Sequence, residues 1–180
     1  ENIVKVYLNK GVTIDLQKAE RNFYTTSSCG VCGKASMEAI TTKAQFKIKN
    51  KAIIKDEILY SLKAKLAEQQ SLFSATGGIH AAALFSEGGE LLTLQEDVGR
   101  HNAMDKLVGE AFRKIQLPLE KSILLLSGRA SFELIQKATM AGIGTIVSVG
   151  APSSLAVDLS RENGQTLIGF LKERSYNLYT

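Results

Sequence analysis

Cys29 and Cys32 are the only cysteines of this 180-residue chain, and they stand three residues apart in Ser27-Ser28-Cys29-Gly30-Val31-Cys32-Gly33-Lys34. A C-x-x-C pair set between glycines lets two thiols face one another, and a following helix start or Lys34 would favour thiolate near neutral pH. A thiolate can accept a sulfane sulfur as a persulfide and pass it on, cycle through a disulfide, or fill half of a metal site. Structural zinc needs four ligands, and the remaining soft or imidazole donors are His80 and His101. Neither lies at finger spacing or in an H-x-x-x-H pair, so zinc is not expected, although carboxylates could complete a site. Sulfur transfer, thiol-disulfide oxidoreductase chemistry and a non-enzymatic nucleotide- or metal-binding chaperone all stay open on the thiols alone.

Four further stretches carry polar chemistry. Thr76-Gly77-Gly78-Ile79-His80 pairs adjacent glycines with a histidine ahead of an apolar run, a pattern suited to close backbone approach by a ligand. Glu96-Asp97-Val98-Gly99-Arg100-His101-Asn102-Ala103-Met104-Asp105-Lys106 packs acids, a guanidinium and an imidazole into a helix start. A cap explains Asp97 alone, not Arg100, His101 and Asn102 arriving together. Ser127-Gly128-Arg129-Ala130-Ser131 leaves a buried strand for a helix and offers amides, two hydroxyls and an arginine to an oxyanion; Ala151-Pro152-Ser153-Ser154 repeats the arrangement. The tail through Phe170, Leu171, Lys172, Glu173, Arg174 and Ser175 adds two cations and an aromatic ring. Arg100, Arg129, Lys172 and Arg174 are therefore expected to meet phosphate charge, and Asp97, His101 and Asn102 to recognise polar groups or move protons. His80 is expected to be a pocket donor.

The elements that position these groups follow from periodicity. Val4, Val6 and Leu8, then Val12, Ile14 and Leu16, alternate about Gly11 and predict two strands joined by a turn. Ile58, Leu59, Leu62 and Leu66 predict a helix over 56–69 with Asp56 as its cap. Residues 81–86 and 91–97 predict a hairpin about Glu87-Gly88-Gly89-Glu90, and Met104, Leu107, Val108, Ala111, Phe112 and Ile115 a following helix. Thereafter the pattern is βαβαβ: strand 122–127, helix 131–141, strand 143–149, a helix led by Pro152, and strand 165–171. Right-handed crossovers would collect the loops at 128–129, 150–153 and 172–174 at the carboxyl edge of a parallel sheet, where open α/β folds bind ligands.

Hydrophobic residues at 44% and charged ones at 22% support one substantial core, so a single domain over 1–180 is expected. The net charge of +4 permits an acidic partner, but the lysines are scattered and no nucleic-acid patch stands out; neither DNA nor RNA is expected. The longest apolar runs are far too short to span a bilayer, and two cysteines in a close pair fit a reducing compartment, so a cytoplasmic protein is expected. The sequence starts at Glu1 rather than Met, consistent with a piece of a longer chain.

Taken together, Cys29-Gly-Val-Cys32-Gly, Thr76-Gly-Gly-Ile-His80, the block from Glu96 to Lys106, Ser127-Gly-Arg-Ala-Ser131 and the Gly169-Phe170 tail resemble the formate dehydrogenase accessory sulfurtransferases, the FdhD family. The resemblance spans most of the chain, and the block from Glu96 to Lys106 is its most specific part. It implies a persulfide carrier that receives sulfur from a cysteine desulfurase. The sulfur is delivered to the molybdenum bis(molybdopterin guanine dinucleotide) cofactor, bound as substrate, before that cofactor enters formate dehydrogenase. It implies Cys29 as persulfide bearer with Cys32 as its partner, a cofactor-binding stretch at 170–175, and room for a guanine nucleotide. A homodimer is the expected assembly. The segment usual upstream in that family has no counterpart in the sequence.

The family also resembles the cytidine deaminase fold, a three-layer α/β/α sandwich with a mixed sheet. A deaminase needs a His followed two residues later by Glu, then P-C-x-x-C at a later helix start. Here His80 is followed by Ala81-Ala82 and the later helix begins Ser127-Gly128-Arg129, so the catalytic acid and both thiol ligands are absent. A nucleotide-like pocket without deaminase chemistry is what remains.

Overall fold

A computed structural model describes residues 5–13, 46–48, 54–114 and 117–180. The chain divides into two compact units, Glu1–Ile40 and Thr41–Thr180. In the first unit, residues 5–13 form no strand, contrary to the expected pair. The turn is present: the Val12 amide donates to the Asn9 carbonyl at 3.1 Å, and Gly11 takes a φ of 92°. Val6 is 77% exposed and Tyr7 86%, so the alternation is not backed there by a surface that would bury one face. Val4 and residues 14–16 lie outside the described residues.

The second unit is built on helices α1 (Asp56–Gln69), α2 (Ser71–Thr76), α3 (Arg100–Arg113), α4 (Phe132–Met140) and α5 (Ser154–Glu162). Its strands are β1 (His80–Ser86), β2 (Leu91–Asp97), β3 (Ser122–Leu126), β4 (Thr145–Ser148), β5 (Thr166–Gly169) and β6 (Asn177–Leu178). The six strands form one mixed sheet in the order β2-β1-β3-β4-β5-β6. β3, β4 and β5 are parallel, while β1 runs antiparallel to both β2 and β3, and β6 antiparallel to β5. The fold is thus the expected α/β/α sandwich with a mixed sheet.

Alternation along the strands decides the layers. Leu59, Leu62 and Leu66 of α1 pack with Ala81, Ala83 and Phe85 of β1 and with Ile123, Leu125, Val147 and Ile168 in one buried cluster. The intervening residues Ala82, Leu84, Leu124 and Ile146 point the other way and are buried as well. On that side α3 packs on β1 and β2, α4 on both α3 and α5, and α5 on β5. Strands buried on both faces explain why 123–126 reads as an unbroken apolar run.

The spans 56–69 and 91–97 match the periodicity, and the other boundaries differ from it by no more than two residues. Asp56 is the first residue of α1, not its cap; Lys55 takes that place, and the Asp56 carboxylate instead accepts the Tyr176 hydroxyl at 2.8 Å. The hairpin turns as expected, with Gly89 at a φ of 77° and its amide donating to the Ser86 carbonyl at 2.9 Å. A Cβ there would stand 2.9 Å from the Ile58 Cγ2 of α1. The final expected strand is shorter than 165–171, because the chain leaves β5 at Phe170 and returns as β6.

Candidate functional site

Strand directions bring five polar stretches to one edge of the sheet. β3, β4 and β5 end there, β1 begins there at His80, and β2 ends opposite it at Asp97. The loops that follow are laced by backbone hydrogen bonds. The Gly150 amide donates to the Gly128 carbonyl at 3.0 Å, the Ala130 amide to Ala151 at 3.2 Å, the Ser153 amide to Ala130 at 3.0 Å, and the Phe170 amide to Gly150 at 3.1 Å. The buried Ser148 hydroxyl donates to the Gly150 carbonyl at 2.9 Å. A Cβ at Gly150 would approach the Gly128 carbonyl carbon and the Arg129 amide nitrogen to 3.0 Å, so only glycine allows the two loops this close.

Between these loops lies a cleft of about 260 Å³ lined by Arg100, Arg129, Ala130, Ser131, Pro152 and Ser153. Ser131 and Ser153 are the N-caps of α4 and α5, so two helix N-termini with free amides face one small volume. The Ser153 hydroxyl accepts the Ala156 amide at 3.2 Å, an ordinary cap. Ser131 makes no such bond, and its Oγ is buried without a partner, as is Nε of Arg100. Buried donors are normally satisfied, so unpaired ones at converging helix starts are groups that a bound acceptor could satisfy. Phosphate oxygens fit that donor set.

The neighbouring block is organised rather than free. Asp97 accepts the Gly99 amide at 2.9 Å and the Asn102 amide group at 3.1 Å, and pairs with Lys106 at 2.5 Å. The Lys106 ammonium, then the Gly99 amide, hold its carboxyl at about 2, well below the ordinary 3.8. Asp97 thereby fixes the start of α3 and with it the approach of Arg100. His101 is half-buried with neither ring nitrogen partnered; burial, then the adjacent Arg100 charge, pushes its pKa below 6.5. The ring lies near Glu133 and Lys137 of α4 and does not line the cleft.

At the other end of this edge the His80 ring lies over Gly128, where a Cβ would stand 3.2 Å from His80 Nδ1. Ser127 locks the two strands: its Oγ accepts the Ala81 amide at 2.8 Å, and its own amide donates to the Ala81 carbonyl at 3.0 Å. Phe170 has a φ of 53°, the only described non-glycine residue with positive φ, and a bulky side chain in that region is strained. Leu171 is 1% exposed and belongs to the core, so it anchors the tail loop. Lys172, Glu173, Arg174 and Ser175 are exposed and do not line the cleft. They form a turn closed by the Lys172 amide donating to the Ser175 carbonyl at 2.8 Å, and Tyr176 then ties the chain to α1. Cys29, Cys32 and Lys34 lie outside the described residues.

One site residue escapes the motifs: Gln70, 6% exposed, with its side-chain Nε2 buried and unpartnered. It is the C-cap of α1 and the N-cap of α2, so it lies just past the end of the apolar stripe that Leu59, Leu62 and Leu66 mark.

The FdhD/NarQ family model matches residues 1–180. The chain is 55% identical over 180 residues to the "Sulfur carrier protein FdhD" of Streptomyces coelicolor, covering 99% of this chain and 64% of that protein. The protein of the same name from Mycobacterium tuberculosis is 49% identical, with 99% of this chain and 65% of that one covered. The one from Sulfolobus acidocaldarius is 42% identical, with 100% and 68% covered. A crystal structure from Desulfotalea psychrophila, described as a formate dehydrogenase accessory protein, superposes with a TM-score of 0.65 at 28% identity, covering 71% of this chain and 54% of that chain. The chain therefore spans about two thirds of the length of these curated relatives, and it belongs to the FdhD/NarQ family.

Proposed function

We propose that the chain is a sulfurtransferase of the persulfide-carrier type that serves formate dehydrogenase maturation. Cys29 thiolate attacks the terminal sulfur of a cysteine desulfurase persulfide. That S–S bond breaks, a new one forms on Cys29, and the desulfurase cysteine leaves as thiolate. Attack by the Cys32 thiolate on the Cys29 sulfur would then release the terminal atom as hydrosulfide toward the cofactor, leaving a disulfide that a cellular thiol reductant resets. The acceptor is the molybdenum bis(molybdopterin guanine dinucleotide) cofactor, bound as substrate. Its phosphates occupy the cleft between α4 and α5, met by Arg100, Arg129, the Ser131 hydroxyl and the helix amides. Formate dehydrogenase is the recipient of the finished cofactor, and the carrier works as a homodimer.

The observation that supports the acceptor half is the pair of orphaned buried groups, Arg100 Nε and Ser131 Oγ, at two converging helix starts. Support for the sulfur half is the C-x-x-C pair together with the names carried by relatives up to 55% identical. Titration with guanosine diphosphate tests the cleft: Arg129→Gln should weaken binding roughly tenfold, as loss of a charge-assisted contact does. Equal affinity in that variant would remove phosphate from the cleft.

A further inference from the structure

The joint between α3 and α4 runs up to the phosphate cleft, since Arg100 opens α3, Ser131 caps α4, and both line the cleft. Further along the joint, the Lys137 ammonium of α4 pairs with the Asp105 carboxylate of α3 at 2.6 Å. Four residues earlier on each helix stand His101 and Glu133, and residues four apart share a helix face, so these two occupy the rung next to the cleft. That rung is unmade on the His101 side: Nδ1 and Nε2 are both buried without a partner. A neutral imidazole carries one donor and one acceptor, and leaving both unsatisfied is costly. The charged groups around the ring are Arg100 and Asp105 on α3 and Glu133 and Lys137 on α4. Burial, then the Arg100 charge, disfavours the imidazolium, and the positive ends of the two helices act in the same sense. An anion held by Arg100 and the α4 amides would offset those charges.

We infer that His101 is a positioning residue of the cleft that acts by taking up a proton when an oxyanion binds: the imidazolium donates to the Glu133 carboxylate and ties together the two helix starts that carry Arg100 and Ser131. The proton comes from solvent and stays on the ring while the anion is bound. A carboxylate accepts several donors, so this bond is compatible with the other contacts of Glu133. The inference rests on the phosphate reading of the cleft, because an uncharged ligand would draw no proton.

The probe is diguanosine pyrophosphate, a diester whose charge stays constant between about pH 5 and 8, the window in which histidine titrates. Calorimetric titration of the whole chain in two buffers of unlike ionisation enthalpy should show net proton uptake on binding. The sign follows from the ring, which resists protonation in the free protein and accepts it in the complex: affinity should be flat at the alkaline end and climb roughly tenfold as pH falls through the window. His101→Gln should abolish both the uptake and the climb. Glu133→Gln, which keeps the side chain's size and removes its charge, should shrink the climb, and with the parent chain it decides the matter where His101→Gln does not fold. The chain has one other histidine, His80, and His80→Gln reads its share. Binding without proton uptake, a climb undiminished in His101→Gln or in Glu133→Gln, or uptake lost in His80→Gln but kept in His101→Gln overturns the inference and leaves phosphate in the cleft. Absence of binding at every pH overturns both.

Discussion

Phe170 holds a backbone conformation that an aromatic residue rarely adopts, and it does so where the chain leaves β5 and its amide bonds the Gly150 carbonyl. Strain of this kind costs about 1–3 kcal/mol and persists only where surrounding contacts impose it. Here the imposing contacts are its own amide on Gly150 and the Leu171 amide on the Ser148 carbonyl, both 3.1 Å. Phe170→Gly should therefore raise stability by about 1 kcal/mol in denaturant titration, since glycine adopts positive φ freely. The same variant should bind guanosine diphosphate more weakly if the ring, 40% exposed, meets the ligand proposed above. A destabilised variant would show that the ring packs rather than waits for a ligand. The orphaned Arg100 and Ser131 atoms belong to the same class of feature: local disadvantage that a ligand would remove.

The elements matter because the joints between them carry the site. Asp97, last residue of β2, holds the first turn of α3 through Gly99, Asn102 and Lys106. At the opposite end of that helix, Lys114, then Thr93 and Gln95, keep the Glu110 carboxyl at about 2, below its ordinary 4.5. Both groups are depressed on folding, so their stabilisation is complete above the unfolded values and is lost as pH falls through about 2. His101 acts in the same direction, since a ring kept neutral by folding must charge more readily when unfolded below 6.5. Melting temperature should fall steadily between pH 4.5 and 2, and Asp97→Asn should flatten part of that fall. An unchanged profile in the variant would mean that the Lys106 pair contributes nothing to holding the helix. The joints were only partly legible in the sequence. Asp97 reads as a cap, yet it bonds one residue short of that, at the amide of the Gly99 cap itself. The parallel strands were legible because burial on both faces writes an unbroken apolar run. α2, with no buried residue, and β6, with two residues, are too short to carry a period.

At the scale of the whole molecule, strand order converts five stretches scattered from residue 76 to residue 175 into one edge; the βαβαβ pattern foresees the three at 128–129, 150–153 and 172–174, while the antiparallel β1 and β2 bring the other two. What the pattern could not supply was the split of that edge into a basic cleft and an apolar recess beside Gln70, because Gln70 lies at the joint between α1 and α2, and α2 has no buried residue to mark it. Nor does periodicity say that Lys172 and Arg174 stand away from the cleft; only the turn closed by Ser175 shows it. Cys29, as proposed above, bears sulfur for an acceptor held at this edge. The chain should be incubated with a cysteine desulfurase and cysteine, then digested without reductant and mapped by mass spectrometry. An addition of about 32 Da, one sulfur atom, on Cys29, kept in Cys32→Ala and lost in Cys29→Ala, is the predicted result. Sulfur found on neither cysteine, or loading undiminished in Cys29→Ala, would contradict it.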